Sequence, residues 1–186
     1  MSYKIIPNIL TILRILLVLP CAYFFYIEYY KLSIGIFILA AATDCVDGFL
    51  ARKLGCQTEL GAILDPLADK FLIIALFVVL TIKFYIPFWF SIIIILRELV
   101  LLGGATFYRY KFGPVVFIPT MISKINTCLL MSLLLITLIQ AMLNYNLDYF
   151  KDYLFIIILL TSIYSALVYI WRWGIKVNTS LKANKK

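Results

Sequence analysis

Between Thr43 and Lys70 the chain reads TDCVDGFLARKLGCQTELGAILDPLADK. Its acids and small residues fall as D-x2-D-G-x2-A-R-x8-G-x3-D-x3-D, with Asp44, Asp47, Asp65 and Asp69 as the four carboxylates. On both sides the sequence is almost wholly apolar. A carboxylate at membrane depth costs roughly 3 kcal/mol on insertion scales and marks a functional site by default. Four within 26 residues is a pattern that needs an explanation.

The surroundings set the fold class. Of 186 residues, 65% are hydrophobic and 14% charged. That balance excludes an ordinary soluble domain and points to an all-α integral membrane protein. One spanning helix takes about 20 residues. The apolar runs place six transmembrane helices at roughly 5–28, 33–53, 60–82, 86–109, 118–143 and 150–173, within one membrane domain covering 1–186. Gly, Pro, Asn and charged residues cluster between them, as turns require. Aromatic groups such as Tyr23–Tyr26, Tyr29, Trp89, Tyr149, Tyr153 and Trp171 fit interfacial belts.

Charge sets the orientation. Arg52, Lys53, Arg109, Lys111, Lys124, Arg172, Lys176 and the C-terminal lysines fall on one side with Lys4 and Arg14. Lys31, Lys83 and Lys151 fall on the other. The basic side is cytoplasmic, so both termini and the Asp-rich segment lie there. The net charge of +8 suits anionic headgroups. The cations are dispersed between apolar runs, which argues against nucleic acid as a partner. The first apolar run, interrupted by Thr11 and Arg14 and continuing past Pro20, lacks a small-residue cleavage site and reads as an anchor. The expected location is the bacterial inner membrane, or the mitochondrial inner membrane for a processed eukaryotic chain.

The chain has no His, which excludes imidazole metal sites and His-based triads. Cys21, Cys45, Cys56 and Cys128 show no C-x-x-C spacing and read as packing residues. The donor set is therefore oxygen alone. Asp44 and Asp47 share a helical face that Ala51 continues, and Gly61, Asp65 and Asp69 share another. A short loop makes the two helices antiparallel, so the four carboxylates converge at one depth between helices 2 and 3. Their mutual repulsion in a low dielectric calls for a divalent cation. Oxygen ligands select Mg²⁺, Mn²⁺ or Ca²⁺, and a pair of such ions about 3.5–4 Å apart clamps a phosphoryl displacement. Ala40, Ala41, Ala42, Gly48, Ala51, Gly61 and Ala62 leave room for a ligand, and Arg52 lies one turn from Gly48, within reach of a phosphate. Competing explanations are ion pairs such as Asp47–Arg52 or Asp69–Lys70, the proton or ion pathway of a coupled transporter, or a purely structural membrane protein.

This segment resembles the signature of the CDP-alcohol phosphotransferases, six-helix membrane enzymes of phospholipid synthesis, and fills every fixed position of it. The resemblance implies that Asp44, Asp47, Asp65 and Asp69 hold two Mg²⁺ or Mn²⁺ ions, with Asp69 also the general base. It implies that Gly48, Ala51, Arg52 and Gly61 line the CDP site of a CDP-lipid. PNILTILR at 7–14 is similar to the N-terminal element of the branch that makes phosphatidylglycerophosphate or cardiolipin; Asn8, Thr11 and Arg14 share one face there, with Asn8 and Thr11 on the nucleotide side. A homodimer is expected from the family alone.

LRELVLLGGATFYRYK at 96–111 and FIPTMISKINT at 117–127 look like the CMP-forming cardiolipin synthase branch. In the glycerophosphate-using branch a second Arg usually follows the R-E pair by eight residues, and a K-x-K-T element comes later. Here those positions hold Ala105 and Asn126. Two cations that would grip a phosphomonoester are missing, so phosphatidylglycerol is the expected acceptor and glycerol 3-phosphate the alternative. Arg97, Lys124 and Arg109 are the candidate acceptor-binding cations.

Overall fold

The computed structural model describes residues 5–54, 61–112, 121–145 and 147–183, and the side chains of 11–43, 67–104, 121–145, 147–169 and 171. Among the described residues there are six α-helices and no strand. They are α1 (Ile5–Tyr26), α2 (Tyr30–Leu54), α3 (Gly61–Ile82), α4 (Phe88–Phe112), α5 (Met121–Leu143) and α6 (Asp148–Ala183). Each apolar run of the sequence lies on one helix. α6 continues about ten residues past the expected end of its span, because loss of apolar character does not break the hydrogen-bond ladder of a helix.

Met121–Leu143 and Asp148–Tyr169 are long and apolar enough to cross a membrane, and Thr11–Tyr26 and Tyr30–Thr43 are shorter apolar helical stretches. Large aliphatic side chains on these helices point outward: Leu16, Leu19, Leu160 and Leu167 are all exposed. So are Tyr23, Tyr26, Tyr29, Trp89, Tyr149, Tyr153 and Trp171. An apolar exterior with aromatic groups of this kind suits lipid rather than water.

The chain divides into two compact units, Met1–Ser91 with Met131–Leu147, and Ile92–Leu130 with Asp148–Lys186. In the first, α1 packs against both α2 and α3. Val18, Phe25, Phe37, Leu72, Leu76, Phe77 and Leu80 are buried in it. Ser33 of α2 donates its hydroxyl to the carbonyl of Cys21 on α1 at 2.9 Å.

α1 and α3 run parallel in a fixed register. Arg14 meets Asp69, Glu28 meets Lys83 and Tyr30 meets Tyr85, each pair 55 residues apart. The two helices also end alike. Glu28 N–H donates to Phe25 O and Tyr29 N–H to Phe24 O; Phe84 N–H donates to Thr81 O and Tyr85 N–H to Leu80 O. These are Schellman closures with Glu28 (φ 69°) and Phe84 (φ 62°) in the left-handed position. A non-glycine residue there costs roughly 1–2 kcal/mol. The Glu28–Lys83 pair, Lys83 lying 5.1 Å over the Tyr26 ring, and the Phe25–Tyr85 edge contact hold the corner in compensation.

In the second unit, Ile94, Leu101, Leu130, Phe155 and Ile158 are buried. α6 starts with Asp148, whose carboxylate accepts from the buried Lys151 at 2.9 Å one turn on. An acid in the first turn also complements the positive end of the helix dipole.

Candidate functional site

α2 carries Asp44 and Asp47, and α3 opens at Gly61 and carries Asp65 and Asp69. The helical spacing expected for both acid pairs is therefore present in the backbone. Of the four acids, Asp69 is the one with a described side chain. Asp44, Asp47 and Asp65 lie outside the described side chains, as do Asn8, Gly48, Ala51, Arg52, Gly61, Ala105 and Arg109. Among the described residues no cluster of three metal-ligating side chains is complete. The chemistry of the donor set still fits a hard divalent ion. Four carboxylates on two helices that both pack against α1 provide oxygen ligands and no sulfur or imidazole.

Asp69 has a partner that sequence spacing did not reveal. Arg14 of α1 donates from one terminal nitrogen to Asp69 Oδ1 at 2.7 Å. The contact spans 55 residues of sequence. The environments of the two groups differ: the Arg14 side chain is 1% exposed, that of Asp69 31%. A guanidinium sealed among apolar helices is tolerable when it faces a carboxylate. The Asp69 carboxylate keeps partial exposure where Arg14 has almost none. Thr11, one turn before Arg14 on the same face, is also buried. The available signal was Arg14 itself, a cation in the middle of an apolar run.

The second unit holds a polar group of its own. Arg97 on α4 is buried and donates to the neighbouring carboxylate of Glu98, which is fully buried. Its other terminal nitrogen donates to Ser165 Oγ on α6 at 3.1 Å, and its Nε has no partner among the described residues. The charge of Arg97 thus faces a buried carboxylate, and these two contacts use two of its five N–H donors. Lys124, on α5, is exposed.

Asn126 is fully buried two residues beyond Lys124. Its Oδ1 accepts from Thr161 at 2.8 Å and from Ser162 at 3.0 Å, both on α6. Thr161 has a single hydroxyl proton, and the Ile157 carbonyl also stands within reach at 2.9 Å. Asn126 Nδ2 has no partner among the described residues. In the sequence Asn126 stands out only for the cation it lacks. In the structure it is a neutral amide fitted to two hydroxyls.

Residues 4–174 match the CDP-alcohol phosphatidyltransferase family. A cardiolipin synthase (CMP-forming) / mitochondrial hydrolase fusion protein of Schizosaccharomyces pombe is 33% identical over 179 residues, 88% of this chain and 30% of that protein. The cardiolipin synthase (CMP-forming) of Homo sapiens is 36% identical over 156 residues, 75% of this chain and 52% of that protein. The CDP-diacylglycerol–glycerol-3-phosphate 3-phosphatidyltransferase of Wigglesworthia glossinidia brevipalpis is 35% identical over 165 residues, 86% of this chain and 85% of that protein. The chain thus spans about half or less of the length of the first two and most of the third. An uninterrupted acid signature carried on α2 and α3, together with a family match over nearly the whole length, means that this chain belongs to the CDP-alcohol phosphatidyltransferase family.

Proposed function

We propose that this protein is a metal-dependent membrane enzyme of phospholipid synthesis. It moves the phosphatidyl group of CDP-diacylglycerol onto phosphatidylglycerol, giving cardiolipin and CMP. Family membership and the complete signature support the reaction class. The observation that carries the acceptor is Asn126, a buried amide tied to Thr161 and Ser162 where glycerophosphate-using relatives usually place a cation. A phosphomonoester dianion in a water-poor pocket needs such charges, since a buried charge without a partner costs several kcal/mol. A phosphodiester carries one charge and enters from the bilayer.

In this reading Asp44, Asp47, Asp65 and Asp69 would hold two Mg²⁺ or Mn²⁺ ions between α2 and α3, at the cytoplasmic end of a six-span bundle. The ions would supply charge stabilisation for the displaced pyrophosphate oxygens. Gly48, Ala51, Arg52 and Gly61, with Asn8 and Thr11, receive the CDP moiety. Asp69 accepts the proton of the acceptor hydroxyl. The freed oxygen bonds to the lipid-linked phosphorus as the bond to the CMP oxygen breaks, so one phosphate ester replaces one phosphoanhydride. Arg97 Nε, Lys124 and Arg109 hold the acceptor phosphate. The enzyme works as a homodimer with both termini cytoplasmic, in a bacterial inner membrane or its mitochondrial counterpart.

A second reading has glycerol 3-phosphate as acceptor and phosphatidylglycerophosphate as product. It is favoured by the Wigglesworthia relative, which this chain matches over most of its length. The deciding experiment gives purified protein CDP-diacylglycerol and Mn²⁺ with each acceptor separately, and measures CMP and lipid products. Phosphatidylglycerol should be used at least about tenfold better, a difference of about 1.4 kcal/mol in the barrier. Turnover of glycerol 3-phosphate alone would replace the acceptor and keep the reaction class. Full activity in excess chelator would remove the metal site.

A further inference from the structure

We propose that Arg14 is the positioning residue of Asp69: a guanidinium sealed behind the carboxylate that fixes its orientation toward a divalent cation on the open side. The role of Asp69 as a ligand rests on the function proposed above. The role of Arg14 rests on the geometry of the pair.

Arg14 approaches Asp69 from the interior of the α1–α3 packing, at 2.7 Å, and is itself almost completely enclosed. The carboxylate is about a third exposed. The donors of a guanidinium are fixed in a planar fork, so its hydrogen bond to Asp69 Oδ1 is directional, whereas a lysine ammonium is a rotatable point charge. The pair also shares its 55-residue register with Glu28–Lys83, just past the ends of α1 and α3. The carboxylate therefore does not have to search for its place when a metal ion arrives.

Charge and positioning predict opposite signs, which makes the role testable. A fixed positive charge beside a divalent cation repels it, so on charge alone the removal of Arg14 tightens metal binding. If Arg14 orients a ligand, its removal loosens binding. Partners that orient metal ligands typically contribute 10–100-fold in affinity.

The experiment titrates Mn²⁺ alone into the purified protein in micelles and reads free Mn²⁺ by electron paramagnetic resonance. Arg14→Met should bind Mn²⁺ at least about tenfold more weakly than the natural protein, with Arg14→Lys in between. Arg14→Met combined with Asp69→Asn should bind no more weakly than Asp69→Asn alone, because Arg14 acts through Asp69. Equal or tighter binding by Arg14→Met overturns the proposal while leaving the metal site standing. If the natural protein takes up no Mn²⁺, the metal reading falls and this role with it. Thermal unfolding in chelator checks each variant. Should Arg14→Met fail to fold, Arg14→Lys carries the test: melting as the natural protein does, it must still bind Mn²⁺ more weakly, and equal binding overturns the proposal.

Discussion

Arg14–Asp69 joins α1 to α3 and Glu28–Lys83 joins the turns that close them, at the same offset of 55 residues and nearly the same separation, 2.7 and 2.8 Å. They stand fourteen residues apart along each stretch of chain, about 21 Å at the helical rise. Distance and chemistry do not separate them; surroundings do. At one end the cation is 1% exposed and its carboxylate belongs to the acid signature. At the other the cation is 25% exposed, the carboxylate 63%, and both flank left-handed corners. One pair lies where desolvation amplifies every charge, the other where water screens it. In the function proposed above, the same geometry serves a catalytic carboxylate at one end and aligns two helices at the other.

Exchange of partners breaks this comparison most sharply. Glu28→Lys with Lys83→Glu keeps a pair at the exposed corner and should leave turnover unchanged. Arg14→Asp with Asp69→Arg keeps a pair at the buried end too, yet removes the proposed base from α3. CMP release from CDP-diacylglycerol should then fall at least about a hundredfold, the lower range for loss of a general base. Asp69→Asn alone should do the same while CDP-lipid binding remains measurable. If the buried exchange retained activity, both pairs would be merely structural.

A smaller effect is expected in stability. Removing one partner from a sealed ion pair costs roughly 3–5 kcal/mol. Because Asp69 is partly exposed, Arg14→Met should cost less, about 2 kcal/mol, in chemical denaturation of the metal-free protein. A change below about 0.5 kcal/mol, the size of a surface substitution, would make the two ends energetically alike.

Sequence alone located the helices well, because apolar runs broken by Gly, Pro and charges report where a helix begins and ends. It also placed both acid pairs on helices, at spacings of three and four residues. The two closures escaped it. Glu28 and Phe84 occupy positions where glycine is the usual signal, and nothing in EYYK or KFYIP announces a left-handed residue. The 55-residue register escaped for a related reason: it depends on how α1 lies against α3, which no local pattern encodes. Arg14 could be seen as an isolated cation but not assigned to Asp69. Asn126 read as a missing charge, and its two hydroxyl partners on α6 became visible only through packing.

The exposed corner should give the smallest response. Lys83→Met removes the 2.8 Å contact to Glu28 and the approach to the Tyr26 ring. An exposed ion pair contributes about 0.2–1 kcal/mol, and a cation over an aromatic face at an exposed site adds about 0.5–1 kcal/mol. The long side chain loses rotamer freedom to make both contacts, and methionine recovers part of the packing. The expected cost is about 0.5 kcal/mol in denaturation midpoint analysis at low salt. It should shrink further near 1 M salt, where the screening length is about 3 Å. Salt should leave the cost of Arg14→Met nearly unchanged, because ions do not reach a side chain that is 1% exposed. Turnover of Lys83→Met should equal that of the natural protein. A salt-independent cost at Lys83, or a loss of turnover there, would mean that α1–α3 alignment at the far corner governs the carboxylate site about 21 Å away, so that the two pairs act as one device.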